Sequence, residues 1–318
     1  MSSGHPHASG SVVAFCGGIG GAKLALGLTH VVPADKLTFV VNTGDDFRHF
    51  GLHVSPDVDT VLYTLSGRAN PETGWGCAGE SWRFMETVGD LGGETWFALG
   101  DTDLALHAVR TARLDKDDTL TAITRDLAAA MGIEAAVLPA TDHRLATVVE
   151  TDAGVLPFQR YFVERKCAPV VRAIRFDGAD KALPGERVQA ALTAPDLSAI
   201  VICPSNPYLS IDPILAITGM RGLIEAAAAP VVAVSPLVGG TAVKGPLAKI
   251  MGELDRSLTH ASVLDHYDGL VGTLLVDRMD APGTADRRMR IAPTLMTSLA
   301  DRIALARCVL EAAAEASQ

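Results

Sequence analysis

One arrangement limits the folds open to this chain more than any other. Short apolar runs each end in a cluster of Gly, Pro, Asn or Asp, and a helix-like stretch follows. Val12–Phe15 leads into glycines and then a helix over Lys23–Thr29. Leu37–Val41, Trp96–Leu99, Ala199–Cys203 and Val231–Val234 repeat the pattern as further strands. Strand, turn and helix repeated in this order predict parallel strands joined by crossover helices. The expected fold class is therefore α/β: a Rossmann-like, mostly parallel sheet with helices on both faces.

Residues 131–185 break the rhythm. Ala146–Glu150 and Val155–Arg160 can pair across Thr151–Gly154, and Val170–Phe176 can add a third strand. The expected organisation is a disordered polar leader over 1–10, a Rossmann-like core from 11–130 and 186–318, and a smaller α+β insertion over 131–185. Arg302–Ala314 reads as an amphipathic closing helix. The sequence has 318 residues, 48% of them hydrophobic, enough for a substantial core.

Charge and cysteine usage narrow the partners. A net charge of −10 argues against nucleic acid and anionic membranes, whose surfaces are also negative. The apolar run near 214–237 is interrupted by Gly219, Arg221, Glu225 and Pro230, so it cannot span a bilayer. Cys16, Cys77, Cys167, Cys203 and Cys308 are scattered without a CxxC pair, as expected of reduced thiols in the cytoplasm.

The chemistry-bearing motifs fall at strand ends. Gly17-Gly18-Ile19-Gly20-Gly21-Ala22-Lys23 follows the first strand and opens a helix. Glycines there bring backbone N–H groups close to a ligand, and the helix N-terminus favours an anion. The stretch lacks the third glycine of a dinucleotide fingerprint and the Lys-Ser/Thr of a phosphate loop. A tight turn without ligand is the plain alternative.

Asn42-Thr43-Gly44-Asp45-Asp46 ends the second strand and faces the same crevice. Two adjacent carboxylates beside a phosphate site suit Mg²⁺; an Asx turn explains them without a ligand. In Pro56-Asp57-Val58-Asp59-Thr60, capping a helix accounts for Asp57 but not for Asp59, which with Asp45 can complete a two-carboxylate metal site. Asp101, Thr102 and Asp103 open another helix, one acid as a cap and the other open to a ligand hydroxyl. Ser205, Asn206 and Pro207, and then Ser235, Pro236 and Gly240 with Lys244, form two Pro-rich loops on the ligand side of the sheet. Trp75 and Trp82 flank an irregular stretch that can hold an aromatic ligand or simply pack in the core.

Taken together and in order, these motifs resemble the 2-phospho-L-lactate transferases of coenzyme F-420 biosynthesis. The resemblance runs from about residue 12 to about residue 280 and includes weaker matches at Leu138–Asp142 and Phe158–Phe162. It implies an Mg²⁺-dependent enzyme that transfers 2-phospho-L-lactate, phosphoenolpyruvate or phosphoglycerate from its guanosine diphosphate ester to the deazaflavin Fo, releasing GMP. Such a step is mostly positioning and charge neutralisation. On that reading Asp45 and Asp59 hold Mg²⁺, and Asp46 orients the attacking hydroxyl. Gly17, Gly18, Gly20, Gly21 and Lys23 cradle the diphosphate. Ser205, Asn206, Pro207, Ser235, Pro236, Gly240 and Lys244 hold the guanosine. Asn42, Asp101, Thr102, Asp103, Thr141 and Asp142 line the Fo side. The resemblance also implies a homodimer.

Two other readings compete. A related family of nucleotide-sugar-binding regulators shares the glycine turn but tends to carry a Gly/Ser-rich segment after the paired acids; this chain has Phe47-Arg48-His49-Phe50-Gly51 there. A nicotinamide oxidoreductase is disfavoured by the missing third glycine and by the aspartate pair.

Overall fold

The computed structural model of the chain describes residues 10–243, 245–267, 269–283 and 286–317. Nearly all of the leader therefore lies outside the described residues.

The first half begins as the pattern requires. β1 (Ser11–Cys16) enters α1 (Gly18–Leu28). β2 (Leu37–Val41) leads through a small hairpin, β3 (Phe47–His49) and β4 (Leu52–Val54), into α2 (Pro56–Leu65). Then come α3 (Arg83–Asp90), α4 (Asp101–Leu114), α5 (Leu120–Ala130) and β5 (Ala136–Pro139). A separate antiparallel sheet follows, β6 (Ala146–Thr151) flanked by β7 (Gly154–Pro157) and β8 (Val171–Asp177). The chain returns through α6 (Glu186–Leu192) to β9 (Leu197–Ile202), α7 (Asp212–Leu215), α8 (Met220–Ala226) and β10 (Val231–Val234). A second hairpin, β11 (Leu237–Val238) and β12 (Thr241–Ala242), precedes α9 (Leu247–Glu253) and α10 (His260–His266). β13 (Thr273–Asp277), β14 (Met289–Ala292) and α11 (Leu299–Ala316) close the chain.

Seven parallel strands form the main sheet, in the order β14–β13–β10–β9–β1–β2–β5. The winding direction reverses between β1 and β9. A doubly wound sheet opens a crevice beyond the carboxyl ends of the strands flanking such a reversal. Those ends are Cys16 and Ile202, so Gly17–Gly18 and the loop after β9 border the crevice.

Alternation along the strands builds two cores. Val13, Phe15, Ile200, Ile202 and Ala233 face one side, with Val188, Ile224 and Ile250 from the helices. Val12, Ala14, Val201 and Val232 face the other, against Leu24, Leu28, Val58, Leu62 and Val309. Full burial of each valine, leucine, isoleucine or phenylalanine among them contributes roughly 1.5–3 kcal/mol. Val149, Phe158, Tyr161 and Val171 join the first core, so the small antiparallel sheet is packed into the domain.

Four local expectations change. Trp96–Leu99 is not a strand; the place beside β2 is taken by Ala136–Pro139, which pairs in register with Thr38–Val41. The main sheet thus includes residues assigned to the 131–185 insertion. That strand is short and ends in Pro139, which an edge position tolerates because no neighbour needs its N–H. α1 starts at Gly18, not Lys23, because the glycines form its first turn. α11 starts at Leu299, not Arg302, because Ser298 and Asp301 form a reciprocal capping box one turn earlier. Among the described residues no helix is long and apolar enough to cross a membrane.

Candidate active site

The crevice at the switch point is a cavity of about 800 Å³. Its floor is the turn from β1 into α1. Gly18 has a φ of +63°, a left-handed conformation that only glycine adopts without strain. Gly20 is needed for another reason: a Cβ there would sit 2.2 Å from the Pro204 carbonyl oxygen. One at Gly21 would lie 2.7 Å from Ser205 Oγ. The close passage of the 204–205 loop, before any ligand, accounts for both.

That loop locks the turn. Ser205 Oγ accepts the Gly17 N–H at 3.2 Å and donates to the Gly17 carbonyl at 2.9 Å. Asn206 Oδ1 accepts the amides of Tyr208 and Leu209, at 3.0 and 3.3 Å. Ser205 and Asn206 line the cavity, but these polar atoms are engaged in holding backbone. Pro207 is buried at the start of the next turn.

Behind the turn lie the carboxylates. Asp45 follows β2 and is buried; its Oδ1 has no hydrogen-bond partner among the described residues. Burial, and next the charge of Asp57, push its carboxyl well above the usual carboxylate range, against a weaker opposing pull from Asn42. Asp57 lies in the first turn of α2, whose N-cap is Ser55. Asp57 therefore does not cap its own helix. Its Oδ1 accepts the Gly18 amide at 2.7 Å and its Oδ2 accepts Asn42 Nδ2 at 2.9 Å. Burial pushes the Asp57 carboxyl up to about 6. Asp45 and Asp57, with Asn42 hydrogen-bonded to the latter, form an all-oxygen buried pair. Like charges in one desolvated place require a proton or a cation, and hard oxygen donors suit a divalent cation.

Asp59 does something different. It faces the cavity, but its two oxygens take the fully buried Arg110 guanidinium in a fork, Nη1 to Oδ2 at 3.1 Å and Nη2 to Oδ1. His107 Nδ1 lies 3.6 Å from Asp59 Oδ2, while burial lowers the His107 pKa to about 4. Of Asp45, Asp57 and Asp59, which all face the cavity, Asp59 is the one with a cationic partner, whereas Asp45 and Asp57 have none of that kind among the described residues. Arg110 carries no sequence signal, since nothing in a helical arginine announces a buried partner 51 residues away.

Asp46 is turned from the cavity. Its Oδ2 accepts Ser55 Oγ at 2.7 Å and faces His53 Nε2 at 3.0 Å, so it supports the β3–β4 hairpin. Asn42 likewise stands behind Asp57, outside the cavity lining.

The 101–103 motif splits. Asp101 accepts from Ser81 and from the Phe84 amide and is not part of the lining. The first turn of α4 is held by Glu80, whose carboxylate accepts the amides of Thr102 and Asp103 at 2.8 and 3.1 Å. Thr102 is exposed. Asp103 alone faces the cavity, and burial pushes its carboxyl up to about 6. Thr141 donates to the Leu183 carbonyl, and Asp142 accepts the Thr121 amide; both serve the junction with the insertion and neither lines the cavity. Gly240 donates to Asp280, outside the lining. Ser235 and Pro236 do line it. Lys23 lines it as well, its Nζ 3.2 Å from the Met296 carbonyl. Lys244 lies outside the described residues.

Much of the remaining wall is aromatic. Trp96, Phe97, Phe158 and Phe162 all line the cavity, the last two stacked with centroids 5.3 Å apart. Trp75 stands at its edge, 45% exposed, whereas Trp82 is not part of it. Gln159 donates to the Asp45 carbonyl at 3.3 Å and ties the insertion to the acidic floor.

Fold and crevice define a doubly wound α/β protein with an acidic, glycine-floored ligand site. The sequence model of the family 2-phospho-L-lactate transferase CofD matches residues 12–294. A phosphoenolpyruvate transferase of Streptomyces griseus is 40% identical over 315 residues, spanning 96% of this chain and 98% of that protein. A 2-phospho-L-lactate transferase of Methanosarcina mazei is 34% identical over 306 residues, spanning 95% of this chain and 100% of that protein. The chain belongs to the 2-phospho-L-lactate transferase CofD family and is a transferase of coenzyme F-420 biosynthesis. A UPF0052 protein of Bacillus halodurans shares the fold, with a TM-score of 0.55, 19% identity and 85% of this chain covered against 81% of its own.

Proposed function

We propose that this enzyme moves a phosphorylated three-carbon acid from its guanosine diphosphate ester to the deazaflavin Fo. The terminal ribityl oxygen of Fo bonds to the phosphorus that carries the acid. The bond from that phosphorus to the bridging oxygen breaks, the hydroxyl proton is lost, and GMP leaves with the bridging oxygen. The product is a phosphodiester.

The orphaned, buried Asp45 oxygen beside Asp57, at the glycine turn of the switch-point crevice, carries this reading. Asp45 and Asp57 would hold Mg²⁺, which supplies neutralisation of diphosphate charge. Asp45→Ala abolishes metal-dependent transfer on this reading. The first turn of α1 and Lys23 face the diphosphate. The aromatic wall of Trp96, Phe97, Phe158 and Phe162 takes the deazaflavin ring, with Asp103 on that side. Ser235 and Pro236 face the guanosine. The reading also takes the enzyme to be a cytoplasmic homodimer, as its family resemblance implies.

The relatives named phosphoenolpyruvate transferases in Streptomyces are 38–40% identical to this chain, against 34–35% for those named 2-phospho-L-lactate transferases in Methanosarcina. Phosphoenolpyruvate is therefore the acid expected to win a competition. Mass spectrometry of a reaction holding Fo, Mg²⁺ and the three guanosine-activated acids tests this. One Fo phosphodiester and an equal amount of GMP are expected; absence of every Fo adduct overturns the reading.

A further inference from the structure

Ser235 follows β10 at the cavity and is linked to two further side chains, His260 and Asp280, to which the proposed reaction gives no role. Its Oγ lies 2.8 Å from His260 Nδ1. The other ring nitrogen, Nε2, lies 3.2 Å from Asp280 Oδ2. That second contact is electrostatic rather than a well-aligned hydrogen bond, since Nε2 has no partner meeting hydrogen-bond geometry. Asp280 also accepts the amides of Gly239 and Gly240, at 2.9 and 2.7 Å, and so grips the tip of the β11–β12 hairpin. Ser235 and His260 are buried, on elements 25 residues apart.

In its neutral form the imidazole has one proton to place. A bare Nε2 lone pair would face the Asp280 carboxylate, lone pair against anion, whereas an Nε2–H is attracted to it. The proton therefore sits on Nε2 and Nδ1 is an acceptor. Only the Ser235 hydroxyl can supply the hydrogen between Oγ and Nδ1. Ser235 Oγ already accepts the Leu237 amide at 3.2 Å. A hydroxyl has one hydrogen and two lone pairs. With the hydrogen given to His260 and one lone pair to Leu237, a single lone pair is left.

We infer that Ser235 is a specificity-determining residue fixed as a hydrogen-bond acceptor, and that His260 is the positioning residue that fixes it. Ser235 accepts an N–H or O–H of the nucleoside part of the ligand and disfavours a carbonyl or phosphate oxygen at the same point. Asp280 acts at one remove, holding both the tautomer and the hairpin. The inference rests on the guanosine assignment above for the identity of its ligand, but not for the polarity of Ser235.

Two measurements test it. Long-range ¹⁵N NMR of the histidine rings in the ligand-free enzyme reads the His260 tautomer, which a merely structural role would leave unspecified. A protonated Nε2 and bare Nδ1 are expected; the opposite tautomer overturns the inference. Calorimetric titration with GDP, with pyrophosphate as control, compares the parent with Ser235→Ala, His260→Phe and the double variant. Each single variant should weaken GDP roughly fivefold, as for one neutral hydrogen bond. The double variant should be no weaker than either single one, and pyrophosphate affinity should be unchanged. Additive losses, or GDP affinity unaffected by Ser235→Ala, overturn the inference. A parent enzyme that ignores GDP but binds another nucleoside diphosphate, weakened equally by both single variants, refutes the guanosine assignment while supporting the acceptor role.

Discussion

Asp57 accepts the Gly18 amide hydrogen at 2.7 Å, so a carboxylate closes the first turn of the helix that the crevice presents to its ligand. The partial positive charge of that helix end favours the anion, while desolvation opposes it. Desolvation wins, since the carboxyl is pushed from 3.8 up to about 6. The acid thus links the glycine turn to the metal-binding function proposed for Asp45 and Asp57.

This shift sets a pH dependence. Between about pH 4 and pH 6 the native Asp57 holds a proton that the unfolded chain has released. Its contribution to stability is complete below about pH 4 and is lost as pH rises through 6. Urea denaturation of metal-free enzyme should show a smaller fall in stability over this range for Asp57→Asn than for the parent. Added Mg²⁺ should restore stability above pH 6 in the parent and not in the variant. Equal pH slopes in the two proteins would contradict the assignment.

Asp57 and Asp59 should separate by phenotype. Arg110 is fully buried, and removing it strands the Asp59 charge, so Arg110→Ala should cost about 3–5 kcal/mol of stability. Asp59→Asn should destabilise the fold yet leave Mg²⁺ affinity within a few fold of the parent. Asp57→Asn should do the reverse. Isothermal titration with Mg²⁺ beside chemical denaturation decides it; loss of Mg²⁺ binding in Asp59→Asn alone would restore that residue as the metal ligand.

The glycine turn is constrained by packing before it meets any ligand. Gly20→Ala places a Cβ 2.2 Å from the Pro204 carbonyl and should cost about 1–3 kcal/mol. Gly222, in α8, has nothing within 4 Å of an added Cβ. Gly222→Ala should therefore be neutral or stabilising by about 0.5–1 kcal/mol. Thermal denaturation of the two variants side by side checks the contrast, and equal melting temperatures would refute it.

The aromatic wall gives a kinetic prediction. Trp96 lines the cavity under the Arg160 guanidinium, 4.2 Å from its ring centroid. Trp96→Ala should raise the KM for Fo several-fold while leaving GDP affinity unchanged, because the ring stands on the side of the cavity proposed for the deazaflavin. A parallel loss of GDP binding would indicate a collapsed cavity.

By itself the sequence determined the fold class, the glycine turn at the end of the first strand and the presence of acids near it. These are local properties: periodicity, turn residues and short motifs at strand ends survive without knowledge of contacts. Tertiary structure alone decided which acids act together. Asp57 and Asp59 stand two residues apart on α2, yet one meets Gly18 and Asn42 while the other meets Arg110, because successive helical positions face different neighbours. Ser205 and Asn206 sit in a ligand-side loop, as their place after a strand suggests, but their polar atoms hold backbone once Gly17 and Leu209 come within reach. The same holds for Ser235, His260 and Asp280, whose alignment depends on three elements converging at one end of the sheet. The glycine turn that most marks this sequence owes Gly20 and Gly21 to the loop pressed against them, and only the folded chain shows that loop.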